Sequence, residues 1–168
     1  MTIKEQLQAP FSPDDIEWRI QQKDKNNEWA LVLAYVTNRA IQNRLDDVFD
    51  VGGWQNEYKE APDGGVMCGI SAHVGDQWVT KWDGAENTEI EKVKGGLSNA
   101  MKRAAVQWGI GRYLYNLEAT FVKPTQLKPP NMKGYQQYYD KDTKKRYYWK
   151  IPELPVWATP SGSDTSES

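Results

Sequence analysis

The 168-residue sequence predicts an α+β fold, a β-β-β-α core in which a curved antiparallel sheet of three to four strands packs on one long helix. Two observations carry that prediction. Three strand-like stretches joined by tight turns follow one another across residues 54–82, and an amphipathic stretch, TEIEKVKGGLSNAMKRAAVQWGIGRYLYNL, follows at residues 88–117. In that stretch Ile90, Val93, Leu97, Ala100, Met101, Ala104 and Trp108 recur at steps of three and four, the stripe of one helix about four to six turns long.

Taken in order, residues 1–11 (MTIKEQLQAPF) form a short amphipathic lead ending at Pro10. Ser12 as a cap, Pro13 at a first helical position and the acids Asp14 and Asp15 predict that IEWRIQQK, residues 16–23, is a helix. DKNNE at 24–28 is a polar turn, and the continuous apolar run WALVLAYV at 29–36 has strand length. Thr37 or Asn38 caps a second helix, NRAIQNRLDDVF, with Ala40, Ile41, Leu45, Val48 and Phe49 on one side. Residues 54–60 make the first strand of the meander, and Pro62-Asp63-Gly64-Gly65 has the chemistry of a hairpin turn. Residues 66–74 alternate strictly, and Gly75-Asp76 turns the chain into a strand with Trp78, Thr80 and Trp82 on one face.

The long helix starts at Asn87 or Thr88, carries Glu89 and Glu91 where the dipole favours acids, and stops at Gly109 and Gly111. The Gly95-Gly96 pair implies either a close approach to the backbone or a bend, because each glycine costs about 1 kcal/mol against alanine inside a helix. Beyond residue 120 the chain changes character. Residues 121–130 are proline-rich, residues 134–151 read as a tyrosine-rich hairpin with Lys141, Lys144, Lys145 and Arg146 at its turn, and SGSDTSES at 161–168 reads as disordered. The expected organisation is a core at 1–120, an extension at 121–160 packed on or beside it, and a disordered tail.

Aromatic content is high at 12%, with eight Trp and nine Tyr, enough to fill a core, build an interface or stack on bases. The single cysteine, Cys68, excludes an internal disulfide and fits a reducing compartment. The N-terminus lacks the apolar stretch of a signal peptide and no run is long enough to span a membrane, so a soluble cytoplasmic protein is expected. The net charge of −2 hides a strong asymmetry: residues 1–85 hold 8 basic and 14 acidic side chains, residues 112–150 hold 9 and 3. A face built from residues 92–150 is therefore basic despite the acidic total.

The search for catalytic chemistry comes up empty. His73, the one histidine, lies mid-strand, Cys68 and His73 lack the number and spacing of a metal site, and no phosphate-binding glycine loop exists. No enzyme activity, metal or cofactor is expected. Anion binding with aromatics remains: Lys102 and Arg103 splay about 100° apart on the helix, Lys94 precedes them, Arg112 follows the glycine stop, and Arg19, Arg39 and Tyr35 sit on other elements. Cations over a Trp- and Tyr-rich sheet are the ingredients of single-strand binding.

The run SNAMKRAAVQWGIGRYLYNL resembles the signature of the Rad52/Rad22 single-strand annealing family, and in particular its bacterial DNA damage response protein A (DdrA) branch. LQAPF, IEWR, VLAYVTNRAIQNRLDDVF with GGW, and the tail ELPVWATP agree with it. The resemblance implies a core that assembles side by side into rings or arcs, with single-stranded DNA in a basic outer groove. It implies that Lys102 and Arg103 hold the DNA backbone and that Arg19 and Tyr35 supply a basic and an aromatic contact. Where the family carries a further basic residue one helical step past Arg103, this chain has Val106; Arg112, Lys94 or the 141–146 cluster are the candidates to replace it. The function so implied is ATP-independent annealing of complementary strands in homologous recombination or double-strand break repair, with single-stranded DNA, further copies of the chain and other recombination proteins as partners. A phage or mobile-element recombinase fits the short chain. The alternatives are protection of DNA 3′ ends without annealing and a purely structural oligomer.

Overall fold

In the computed structural model, which describes residues 1–62, 64–85 and 92–160 (backbone only at 92–95), two three-stranded antiparallel sheets and a two-stranded hairpin share one hydrophobic core. Asn87, Thr88, Glu89, Ile90, Glu91, Asp63 and the tail at 161–168, all named above, lie outside the described residues.

The α+β class holds, but residues 16–23 are not a helix. Ser12, Pro13 and the two acids build only a single tight turn, Pro13–Asp15, with the Asp14 amide donating to Ser12 Oγ at 3.3 Å. Ile16, Trp18 and Ile20 then alternate with polar residues, a period of two that makes strand β1, Ile16–Lys23. It pairs antiparallel with β2, Ala30–Val36, in the register Ile16 to Val36, Trp18 to Ala34 and Ile20 to Val32. Those side chains face the core, so Glu17, Arg19, Leu33 and Tyr35 share the opposite face.

A short helix α1, Ile3–Gln8, precedes this sheet, closed by a capping box between Thr2 and Glu5. Helix α2, Asn38–Phe49, is capped by Thr37, whose Oγ1 accepts from the Ala40 amide at 3.2 Å, and buries Ala40, Ile41, Leu45 and Phe49. Its exit requires Gly53: a Cβ there would lie 1.7 Å from the Phe49 carbonyl oxygen. The meander follows as β3, Trp54–Glu60, β4, Val66–Val74, and β5, Gln77–Ala85, the last running beyond the expected end at Trp82.

Helix α3, Lys92–Gln107, lies on β4 and β5. Its Ala100, Met101, Ala104 and Ala105, with Trp108 just beyond it, join Cys68, Ile70 and Ala72 in the core, and Trp108 Nε1 donates to the Ile70 carbonyl at 3.0 Å. Among the described residues α3 runs on through both Gly95 and Gly96. Gly109 and Gly111 end it with φ of 95° and 77°, left-handed conformations open to glycine without a Cβ penalty.

Beside the expected sheet packed on α3 stands a second three-stranded sheet. The meander makes one, and β2 belongs to the other, between β1 and β6, Thr120–Val122. The stretch at 121–130 is less irregular than its prolines suggest: Phe121 and Val122 lie in β6, and Thr125 exchanges backbone hydrogen bonds of 2.8 and 2.7 Å with Tyr148. That contact anchors the predicted hairpin, β7 (Tyr135–Asp140) and β8 (Lys145–Lys150).

Candidate nucleic-acid interface

Between the polar flank of α3, the β1–β2 pair and the turn after α3 lies a cavity of about 720 Å³. Helical spacing puts Asn99, Lys102, Arg103 and Val106 on the flank of α3 that faces it, one step round from the apolar stripe. Strand alternation brings Arg19 and Tyr35 to the same place from β1 and β2. Four residues singled out in the sequence, from three separate segments, therefore line one cavity. Tyr115, Leu114 and Glu118 complete the wall on the far side.

The cations differ in how they are held. Arg103 is exposed and donates to the Gly84 carbonyl at 2.9 Å. The Arg19 guanidinium, 42% exposed, sits 5.4 Å from the centre of the Tyr35 ring and donates to Asn99 Oδ1 at 2.9 Å. Lys102 is only 11% exposed: its Nζ lies 2.5 Å from Glu17 Oε1 and 3.3 Å from Ser98 Oγ. Glu17 Oε1 also accepts from Arg19 NH2 at 2.8 Å, so one carboxylate oxygen holds two cations. Burial pulls the Glu17 carboxyl upward, but its bond to Lys102 and the charges of Lys102 and Arg19 outweigh that, and it titrates below its ordinary value. Burial lowers Lys102 below the ordinary ammonium range despite the hydrogen bond to Glu17, with Arg19 adding to the effect.

The remaining sequence candidates stand elsewhere. Arg112 donates to the Val106 carbonyl at 3.1 and 2.9 Å and to the Gln107 carbonyl at 3.1 Å, satisfying the free carbonyls at the end of α3. Lys94 is on α3, with its side chain outside the described residues. Lys141, Lys144, Lys145 and Arg146 are exposed at the far hairpin and do not line the cavity. Sequence reasoning missed Glu17, Asn99 and Tyr115. Glu17 was legible once 16–23 is read as a strand, since E-x-R then puts Glu17 and Arg19 on one face. Tyr115, 68% exposed on a short turn after α3, carries no periodic signal.

Among the described residues no group of His, Cys, Asp and Glu has the arrangement of a metal site. Burial pushes the Cys68 thiol up to about 11, so it is protonated at neutral pH and a poor nucleophile. No described helix is long and apolar enough to cross a membrane.

The model of the Rad52/22 family of double-strand break repair proteins matches residues 1–133, which hold every cavity-lining residue. The chain belongs to the Rad52/22 family. Among its relatives is the single-stranded DNA-binding protein DdrA of Deinococcus radiodurans, 34% identical over 165 residues that cover 97% of this chain and 70% of the relative. The DdrA of Deinococcus deserti is 32% identical over 160 residues, covering 94% and 70%. The Rad52/22 match stops short of β7 and β8, whereas the span aligned with both DdrA proteins includes them.

Proposed function

We propose that this cavity is a segment of a groove for single-stranded DNA, and that the chain anneals complementary strands without ATP in double-strand break repair or recombination. The observation that carries the reading is the convergence of Arg19, Lys102 and Arg103 with Tyr35 and Tyr115 on one cavity. Cations neutralise phosphates, and each neutralised phosphate releases counterions. An aromatic face beside them takes a base by stacking regardless of its identity, a contribution of about 1–3 kcal/mol per base. Copies of the chain standing side by side in a ring or arc repeat the segment along one strand. Many weak contacts then add, which lets a subunit of net charge −2 bind tightly. Held by its backbone, the strand leaves base edges free to pair, and stacking in the new duplex, about 1.4 kcal/mol per step, drives the product forward. The relatives' name, single-stranded DNA-binding protein, supports the ligand.

Fluorescence anisotropy with a labelled oligothymidylate at several salt concentrations tests the groove, and mixing complementary oligonucleotides tests annealing. Wild type binds with a steep salt dependence and accelerates duplex formation; Arg19→Ala with Arg103→Ala loses both. Binding that survives the double substitution removes the cavity from the argument. Binding without faster duplex formation leaves strand protection instead of annealing.

A further inference from the structure

A groove that grips phosphates should present free cations, yet the most enclosed cation here already has an anion. Glu17 Oε1 lies 2.5 Å from Lys102 Nζ and 2.8 Å from Arg19 NH2, the two-cation clasp that a phosphate oxygen would receive. Around this clasp Ser98 accepts a further hydrogen bond from Lys102, and Asn99 accepts one from Arg19. Both cations line the cavity, so their outward charge is partly cancelled from within. Glu17 itself is 35% exposed at a register position opposite Tyr35, on the solvent side of the β1–β2 pair. Its side chain can therefore turn outward without unpacking the core.

We infer that Glu17 is a built-in competitor for the DNA phosphate, holding Lys102 and Arg19 in binding geometry while the groove is empty and yielding them when a strand enters. The inference rests on the groove reading proposed above and adds to it the residue that sets its affinity. Two consequences follow from charge alone. The empty clasp avoids burying an unpaired ammonium beside a guanidinium, which is costly. Binding exchanges one carboxylate for one phosphate at Lys102, so the net gain is smaller than the count of cations suggests, and a strand dissociates more readily. A protein that must release its annealed product gains from that restraint.

The test compares Glu17→Gln with wild type and with Glu118→Gln, which removes the same charge from the cavity wall but does not touch the clasp. Glutamine keeps the size and an acceptor oxygen for Lys102, and its fold is checked by circular dichroism and melting. Binding of an oligothymidylate across a salt series is the readout. Glu17→Gln is expected to tighten binding about tenfold at low salt and to steepen the logarithmic salt slope by about 0.7, because in wild type the displaced Glu17 carboxylate takes up about one of the counterions that the strand's phosphate releases. A merely structural Glu17 leaves that slope unchanged. Equal gains in Glu17→Gln and Glu118→Gln reduce the effect to general charge and overturn the competitor role, as does unchanged or weaker binding in Glu17→Gln. Should the glutamine variant not fold, Glu17→Ala is read the same way. If neither wild type nor Glu17→Gln binds single strands at all, it is the groove that fails, a result distinct from either of these.

Discussion

Lys102 and Arg103 are adjacent and chemically alike, but one helical step gives them different surroundings and different work. Arg103 is exposed, with one bond to a backbone carbonyl, so its removal is felt mainly by a ligand. Lys102 is enclosed and bonded to Glu17 and Ser98, so its removal strands a carboxylate that would keep only Arg19. Arg103→Ala should stay within about 0.5 kcal/mol of wild type in stability, while its salt slope for single-stranded DNA falls by about 0.7. Lys102→Ala should cost about 1 kcal/mol of stability for the lost charged hydrogen bond. Urea melts and the same anisotropy series read both, and equal melting midpoints for the two variants would show that the clasp contributes nothing to the fold. The pair was legible in the sequence as cations on the polar side of a helix. Their inequality was not, because it depends on a carboxylate 85 residues away in the chain.

At the scale of elements, α2 and the body of α3 follow from periodicity because each buries one face of a regular repeat, while the meander strands are marked by the tight turns between them. β1 was misread because a strong local start signal, Ser-Pro-Asp-Asp, outweighed three alternating apolar residues; tertiary pairing with β2 decides it. The second sheet was hidden for a related reason: β6 is three residues long and pairs with a strand far back in the chain. The β7–β8 hairpin is tied to the β1–β2 turn by a buried polar cluster that no pattern announces. Asn27 Nδ2 donates to Asp140 Oδ2 at 2.5 Å, Tyr138 OH donates to Asn27 Oδ1 at 2.8 Å, and Lys23 Nζ lies 3.6 Å from Asp140 Oδ1. The Asn27 bond first, then the Asp142 amide, Thr143 and Lys23, hold the Asp140 carboxyl below its ordinary value although desolvation opposes them. A carboxyl depressed in the folded state stabilises fully above its unfolded value, near 3.9, and loses that contribution as pH falls through the lower, folded one. The protection factors of the hairpin amides against hydrogen exchange should therefore fall on acidification below about pH 4. In Asp140→Asn the amides should already exchange faster at neutral pH, without that step. An identical acid step in the variant would assign it to another carboxyl.

For the whole molecule the question is whether the part beyond residue 120 is an appendage or belongs to the folding unit. Trp149 on β8 is 2% exposed and sits in the same core cluster as Leu7, Ile41, Ile70 and Trp108, so the hairpin closes the core that positions α3. Ala158 is fully buried in the tail, and β6 completes the sheet whose other strands carry Arg19 and Tyr35. The cavity thus borders a sheet that the later chain helps to hold. Truncating a buried tryptophan to alanine costs about 3–5 kcal/mol, and for a chain of this size each kcal/mol moves the melting temperature about 2–4 °C. Trp149→Ala should therefore melt about 10 °C lower, in one transition seen alike by tryptophan fluorescence and by far-ultraviolet circular dichroism. The proposed groove should be lost in that same transition, since α3 and β1–β2 share its core. A variant that melts in two steps, with the first sparing DNA binding, would make the hairpin a separate module resting on an independent core.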